Sequence, residues 1–111
     1  MAKACIASVD GYMFASSDGF EVTSEQVINL NRGLYDPSPF KMDGIDVHDE
    51  NYMYSASEMF KYMYGTRRQA LGGCIVRRTK NCLMIGVYDS NPDQAKSTME
   101  ELSEYLTDQG I

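Results

Sequence analysis

Gly73-Cys74-Ile75-Val76-Arg77-Arg78, then Thr79-Lys80-Asn81, then Cys82-Leu83-Met84-Ile85-Gly86-Val87-Tyr88 is the stretch from which the architecture can be worked out. Two apolar runs separated by three polar residues predict two antiparallel strands joined by a short turn. A helix signal follows at once. Asn91 is placed to cap it, Pro92 fits its first position, and Gln94 lies three residues after the cap. Ala95, Met99, Leu102 and Leu106 then recur at the spacing of a helix face lying on a sheet. Gly110 stands where a left-handed C-terminal cap belongs.

Working back towards the N-terminus, Ala4 to Val9 is a run of small and apolar residues, and Asp10-Gly11 predicts a two-residue hairpin turn. Tyr12 to Ala15 returns as a second strand, with Tyr12 and Phe14 on one face and Met13 and Ala15 on the other. A helix is then announced by Thr23 as N-cap, Gln26 at the capping-box position, and Val22 with Val27 as a hydrophobic staple. Val27, Leu30 and Leu34 form its apolar stripe, and Gly33 with Asp36-Pro37 ends it. Pro37 to Glu50 reads as a loop with short strands near Lys41 to Met42 and Ile45 to His48. Asn51 to Ser57 and Lys61 to Tyr64 suit strands, and Gly65 to Gln69 suits a turn. Consecutive strands with short connections, flanked by helices, predict an α+β domain built on an antiparallel sheet.

The chain has 111 residues, enough for one domain spanning 1–111. Its longest apolar run, Cys82 to Tyr88, is far below the roughly 20 residues of a membrane-spanning helix. The first residues carry no signal-peptide pattern. Cys5, Cys74 and Cys82 are odd in number, sit in apolar surroundings and lack C-x-x-C spacing, so they read as free buried thiols. His48 is the only histidine, which leaves too few ligands for a zinc site and little for a histidine-activated nucleophile. No cofactor and no catalytic residue is expected, and the protein reads as a non-enzyme.

Net charge is −6, with a strongly uneven distribution. From Met59 to Tyr88 there is no acidic residue, yet Lys61, Arg67, Arg68, Arg77, Arg78 and Lys80 all fall there. This basic island reads either as a solvated hairpin or as a docking patch for an acidic partner, whose encounter such a field would steer. Tyr62 and Tyr64 beside Arg67, Arg68, Arg77 and Arg78 also admit stacking of single-stranded nucleic acid, a rival that the acidic remainder disfavours.

Five segments in order resemble the profilin family. Asp10-Gly11-Tyr12-Met13-Phe14-Ala15-Ser16-Ser17-Asp18-Gly19-Phe20 is similar to the first profilin hairpin, D-G-x-x-W-A-x-S-x-G-F. Thr23-Ser24-Glu25 resembles the start of the family's second helix, and Tyr64-Gly65-Thr66-Arg67-Arg68 with Gly72-Gly73 its basic turn. Arg78-Thr79 through Ile85-Gly86-Val87-Tyr88 resembles the strand pair that follows. Glu104-Tyr105-Leu106-Thr107-Asp108-Gln109-Gly110-Ile111 is similar to the ending of plant- and fungal-type members. The chain departs from the pattern in three ways. It opens on the first strand, without the usual N-terminal helix; it has no tryptophan, with Phe14 in the usual position; and it carries about two extra residues before Gly72-Gly73.

The resemblance implies a profilin-like sheet flanked by helices, in a cytoplasmic protein of the cytoskeleton. It implies binding of monomeric actin through Arg67, Arg68, Arg77, Lys96, Ser97 and Glu101, and hence sequestration of monomers and control of polymerisation. It implies a proline-rich-peptide groove at Phe14, Tyr105, Leu106 and Ile111, for partners such as formins. Without the N-terminal helix this binding is expected to be weakened or lost. The uncovered apolar face is expected to lower stability or promote self-association, and a monodisperse, thermally robust monomer in light scattering would contradict that. Phosphoinositide binding is a further family trait, which the acidic remainder opposes. The alternative is a profilin-like scaffold that no longer binds actin.

Overall fold

The computed structural model describes residues 2–111. In chain order the elements are β1 (Lys3–Ser8), β2 (Met13–Ser16), α1 (Ser24–Tyr35), α2 (Ser38–Asp43), β3 (Ile45–Val47), β4 (Glu50–Glu58), β5 (Tyr62–Thr66), β6 (Gly73–Arg78), β7 (Cys82–Tyr88) and α3 (Pro92–Asp108). The strands form one sheet in the order β2-β1-β7-β6-β5-β4-β3, every pair antiparallel. The α+β reading and the two strands read from residues 73–88 therefore hold.

β7 explains the seven-residue apolar run. Leu83, Ile85 and Val87 join the core under α1, with Val27, Leu30 and Leu34. Met84 and Tyr88 join a second core under α3, with Ile75, Ala95 and Met99. A strand covered on both faces has no polar side to show in its sequence.

The capping box of α1 forms as read. The Thr23 hydroxyl accepts from the Gln26 N–H at 3.1 Å, and the Gln26 side chain accepts from the Thr23 N–H at 3.3 Å. The same carboxamide also bonds both backbone groups of His48, at 2.9 and 3.1 Å, latching the helix start onto the β3–β4 turn. His48 sits there at φ 57, in the left-handed region.

Three local expectations are corrected. Lys41 and Met42 lie in α2, not in a strand. Asp36 Oδ1 accepts from the Ser38 N–H at 3.1 Å, and Pro39 fits the first turn, where its missing N–H costs nothing. Phe40 then packs over Gly33 of α1. The β1–β2 hairpin has a three-residue loop, Val9 to Gly11, rather than two residues, and β2 begins at Met13. Ser8 N–H donates to Tyr12 at 2.7 Å, and Gly11 at φ 102 supplies the bulge that goes with such a loop. On α3, Leu102 is 49% exposed and Ser103 is buried in its place. The inward line is Ala95–Met99–Ser103, set over β6 and β7, so Leu102 points past them towards β1.

The seat of Phe40 gives a stability test. A Cβ at Gly33 would run into the Phe40 ring. Overpacking of about 1–3 kcal/mol should exceed the roughly 1 kcal/mol of helix propensity gained from alanine. Gly33→Ala is therefore expected to lower the melting temperature, and to become neutral or stabilising in a Phe40→Ala background. A raised melting temperature in the native background would contradict this packing.

Candidate functional site

α3 packs chiefly on β6 and β7 and reaches β5 only at Tyr64, so among the described residues the rest of this face of β4 and β5 is open. Alternation along β5 sends Met63 into the core under α1 and projects Tyr62 and Tyr64 onto the open surface. Their rings stack at 4.6 Å with an interplanar angle of 23°. Tyr62 pairs across the ladder with Arg77, whose guanidinium lies 5.8 Å from its ring centre. Arg77 Nε also donates to the buried Ser103 hydroxyl of α3 at 2.8 Å. From the N-terminal half of α3, the Lys96 ammonium sits 4.3 Å from the Tyr64 ring centre. Burial raises the Tyr64 phenol above its ordinary range, so the ring is neutral at physiological pH.

Arg67 is used differently. Its side chain is only 17% exposed and bonds to Asp89 at 2.8 Å and Glu50 at 3.3 Å. It also donates to the carbonyls of Leu71 and Tyr88, at 3.2 and 3.1 Å. Burial works against its charge, but the Asp89 bond, nearby Tyr52 and Glu50 outweigh this and push its pKa up. The guanidinium thereby folds the 67–72 loop back onto the end of β7. Gly72 closes that loop at φ 104, where a side chain would collide with Tyr88 O. Leu71 is left 78% exposed at the loop tip.

Arg68 turns towards β4, where Nε and Nη2 both donate to Asn51 Oδ1, at 3.0 and 2.6 Å. Arg78 belongs to the opposite face, held by Asn31 and Tyr35 of α1. The structure therefore joins Arg77 and Lys96 to the tyrosine pair and diverts Arg67, Arg68 and Arg78 to other contacts. Ser97 and Glu101 are exposed, each two residues from the buried Met99 and so on the far side of α3.

At the other flank of α3 an open groove of about 540 Å³ is lined by Ile6, Phe14, Cys82, Leu106 and Ile111 among others. The Thr79 hydroxyl donates to the Ile111 carbonyl at 3.2 Å, anchoring the last residues beside the β6–β7 turn. Phe14, Leu106 and Ile111 thus line one groove. Tyr105 is 62% exposed and does not line the groove.

The sequence reading takes Tyr62 and Tyr64 only as a base-stacking possibility and does not single out the exposed Leu71. The tyrosines were within reach of a two-residue repeat facing Arg77 across a ladder. Leu71 carries no such signal.

Among the described residues no three His, Cys, Asp or Glu side chains gather where a metal ion would fit. All three cysteines are buried, and burial pushes Cys5 and Cys74 up to about 12, which removes them as nucleophiles at neutral pH.

The comparisons agree with that geometry. The profilin family model matches residues 1–111. Profilin of Drosophila melanogaster is 32% identical, the match covering 94% of this chain and 82% of that protein. The structure of Acanthamoeba castellanii profilin IB superposes with a TM-score of 0.91 at 28% identity, covering 99% of this chain and 87% of that one. The structure of LokiProfilin1 in complex with rabbit actin shares the fold, with a TM-score of 0.77 at 16% identity over 97% of this chain and 84% of that one. The seven-stranded antiparallel sheet with α3 on one face is thus a profilin fold. The chain belongs to the profilin family, whose members are non-enzymatic actin-binding proteins.

The buried thiols set a pH dependence. Folded Cys5 and Cys74 hold their protons to about 12, whereas the unfolded chain releases them near the ordinary value of 9.0. Above that value the native state binds more protons than the unfolded state, so stability falls with rising pH. This contribution is intact below pH 9 and is lost progressively towards pH 12. Urea melts from pH 8 to 11 should show that decline, and a Cys5→Ala/Cys74→Ala double variant should show a shallower slope. Equal slopes would contradict the assignment.

Proposed function

We propose that this chain binds monomeric actin through the open surface of β4–β6 and the first half of α3, sequesters monomers and limits their spontaneous nucleation. The observation that carries the reading is the pairing of Arg77 and Lys96. In a family of actin-binding proteins, these two cations lie on the open face with no carboxylate within 4.0 Å among the described residues. The profilin fold solved in complex with rabbit actin supports the choice of partner. Arg67 and Arg68 act at the margin by holding the 67–72 loop, while Ser97 and Glu101 stand at the outer rim. The work is cytoplasmic and belongs to the cytoskeleton.

Proline-rich binding is weakened on this reading. An extended proline helix needs aromatic walls to pack against. Here the groove has Phe14 with the aliphatic Leu106 and Ile111, and Tyr105 stands outside it. Formin-type proline-rich segments are accordingly poor partners. Phosphoinositide head groups meet a basic surface partly engaged by Glu50, Glu58 and Asp89, on a chain of net charge −6.

One experiment covers both claims. Purified chain added to polymerising actin should lengthen the lag and raise the unpolymerised fraction, and Arg77→Glu/Lys96→Glu should lose at least tenfold in potency. In parallel, a proline-rich peptide should show no saturation at concentrations that saturate Acanthamoeba castellanii profilin IB. Unaltered polymerisation would refute actin binding, and relative-like peptide affinity would refute the weakened groove.

A further inference from the structure

We propose that the four-membered ladder Arg77–Tyr62–Tyr64–Lys96 is the energetic centre of the open face. Its complement on the partner is then an apolar side chain bracketed by two carboxylates. The inference rests on the actin-binding reading and adds to it the contact chemistry.

The ladder is ordered before any partner arrives. Tyr62 and Tyr64 are two residues apart on one strand, a spacing that ordinarily holds ring centres further apart than 4.6 Å, so they lean together into contact. Each end is closed by a cation over an aromatic face, at 5.8 Å for Arg77 and 4.3 Å for Lys96. Arg77 is held in addition by Ser103, a polar residue buried where the helix stripe would otherwise be apolar. The ordering cost that a long basic side chain normally incurs on binding has therefore largely been met on folding.

The charges are also reserved. Lys61 is paired with Glu58, and Arg67 with Glu50 and Asp89. Like most of the basic side chains, Arg77 and Lys96 have no carboxylate within 4.0 Å among the described residues, and they are the two that cap the stacked rings. Two cations kept apart by a pair of rings define a partner surface with two anionic groups and an apolar group between them. Tyrosine and arginine are the residue types that most often dominate interface energetics. A nucleic-acid base could also stack on the rings, but a phosphate chain would then run over a strongly acidic protein.

The test is a titration of monomeric actin with the wild-type chain and with Tyr62→Ala, Tyr62→Phe and Lys96→Gln. Tyr62→Ala should weaken binding at least tenfold, whereas Tyr62→Phe, which keeps the ring, should stay within twofold. Lys96→Gln should weaken binding several-fold and flatten its dependence on salt. Wild-type chain that fails to bind actin refutes the actin reading and, with it, this one. Wild-type binding with Tyr62→Ala within twofold overturns the ladder alone and leaves the actin reading standing. If Tyr62→Ala does not fold, Lys96→Gln decides, and unchanged affinity with an unchanged salt slope overturns the proposal. Competition by single-stranded RNA that Tyr62→Ala abolishes, without loss of actin binding, also overturns it.

Discussion

Burial of β7 on both faces is the constraint from which the functional surfaces follow. Leu83, Ile85 and Val87 close one core under α1, and Met84 with Tyr88 closes the other under α3. A single helix, about 10 Å wide, cannot also cover the flanking strands of a seven-stranded sheet. Among the described residues the face under α3 is therefore open on two sides. Over β4 and β5 it carries the tyrosine pair, and over β1 and β2 it carries the apolar groove at Phe14. The first side is polar and cationic, and the second is apolar, so one packing decision yields two chemically distinct surfaces.

Electrostatics separates residues that look alike in the sequence. Arg67, Arg68, Arg77 and Arg78 all belong to one basic island, yet strand alternation and local acids send them to different tasks. Arg67 is held by Glu50 and Asp89 and shapes a loop, and Arg78 braces α1 on the opposite face. Arg77 remains the arginine seated against the tyrosine pair, with Ser103 as its support. A desolvated, bonded arginine contributes to the shape of the site, and an uncompensated one contributes charge to a partner.

Much of this fold could be read from the residues because its signals are local. The capping box at Thr23 and Gln26, the Asn91-Pro92 helix start and the two apolar runs split by a polar turn at 73–88 each need only a few neighbours. What escaped depends on how the elements pack. α2, begun by Asp36 and Pro39, is seated by Phe40 over Gly33 of α1, and Ser103 rather than Leu102 turns inward because α3 sits over β6 and β7. For the proposed surfaces, Arg77 and Lys96, and Phe14 with Leu106 and Ile111, enter only through a family resemblance. The sequence could not separate Arg67 from Arg77, since the carboxylates that engage Arg67 lie 17 and 22 residues away.

Hydrogen–deuterium exchange on the chain with and without monomeric actin bears most directly on where the partner sits. Protection is expected in β5, in β6 around Arg77, and in the first half of α3 around Lys96. Protection confined instead to β1, β2 and the last turn of α3, with the tyrosine strand unchanged, would contradict the placement of the interface.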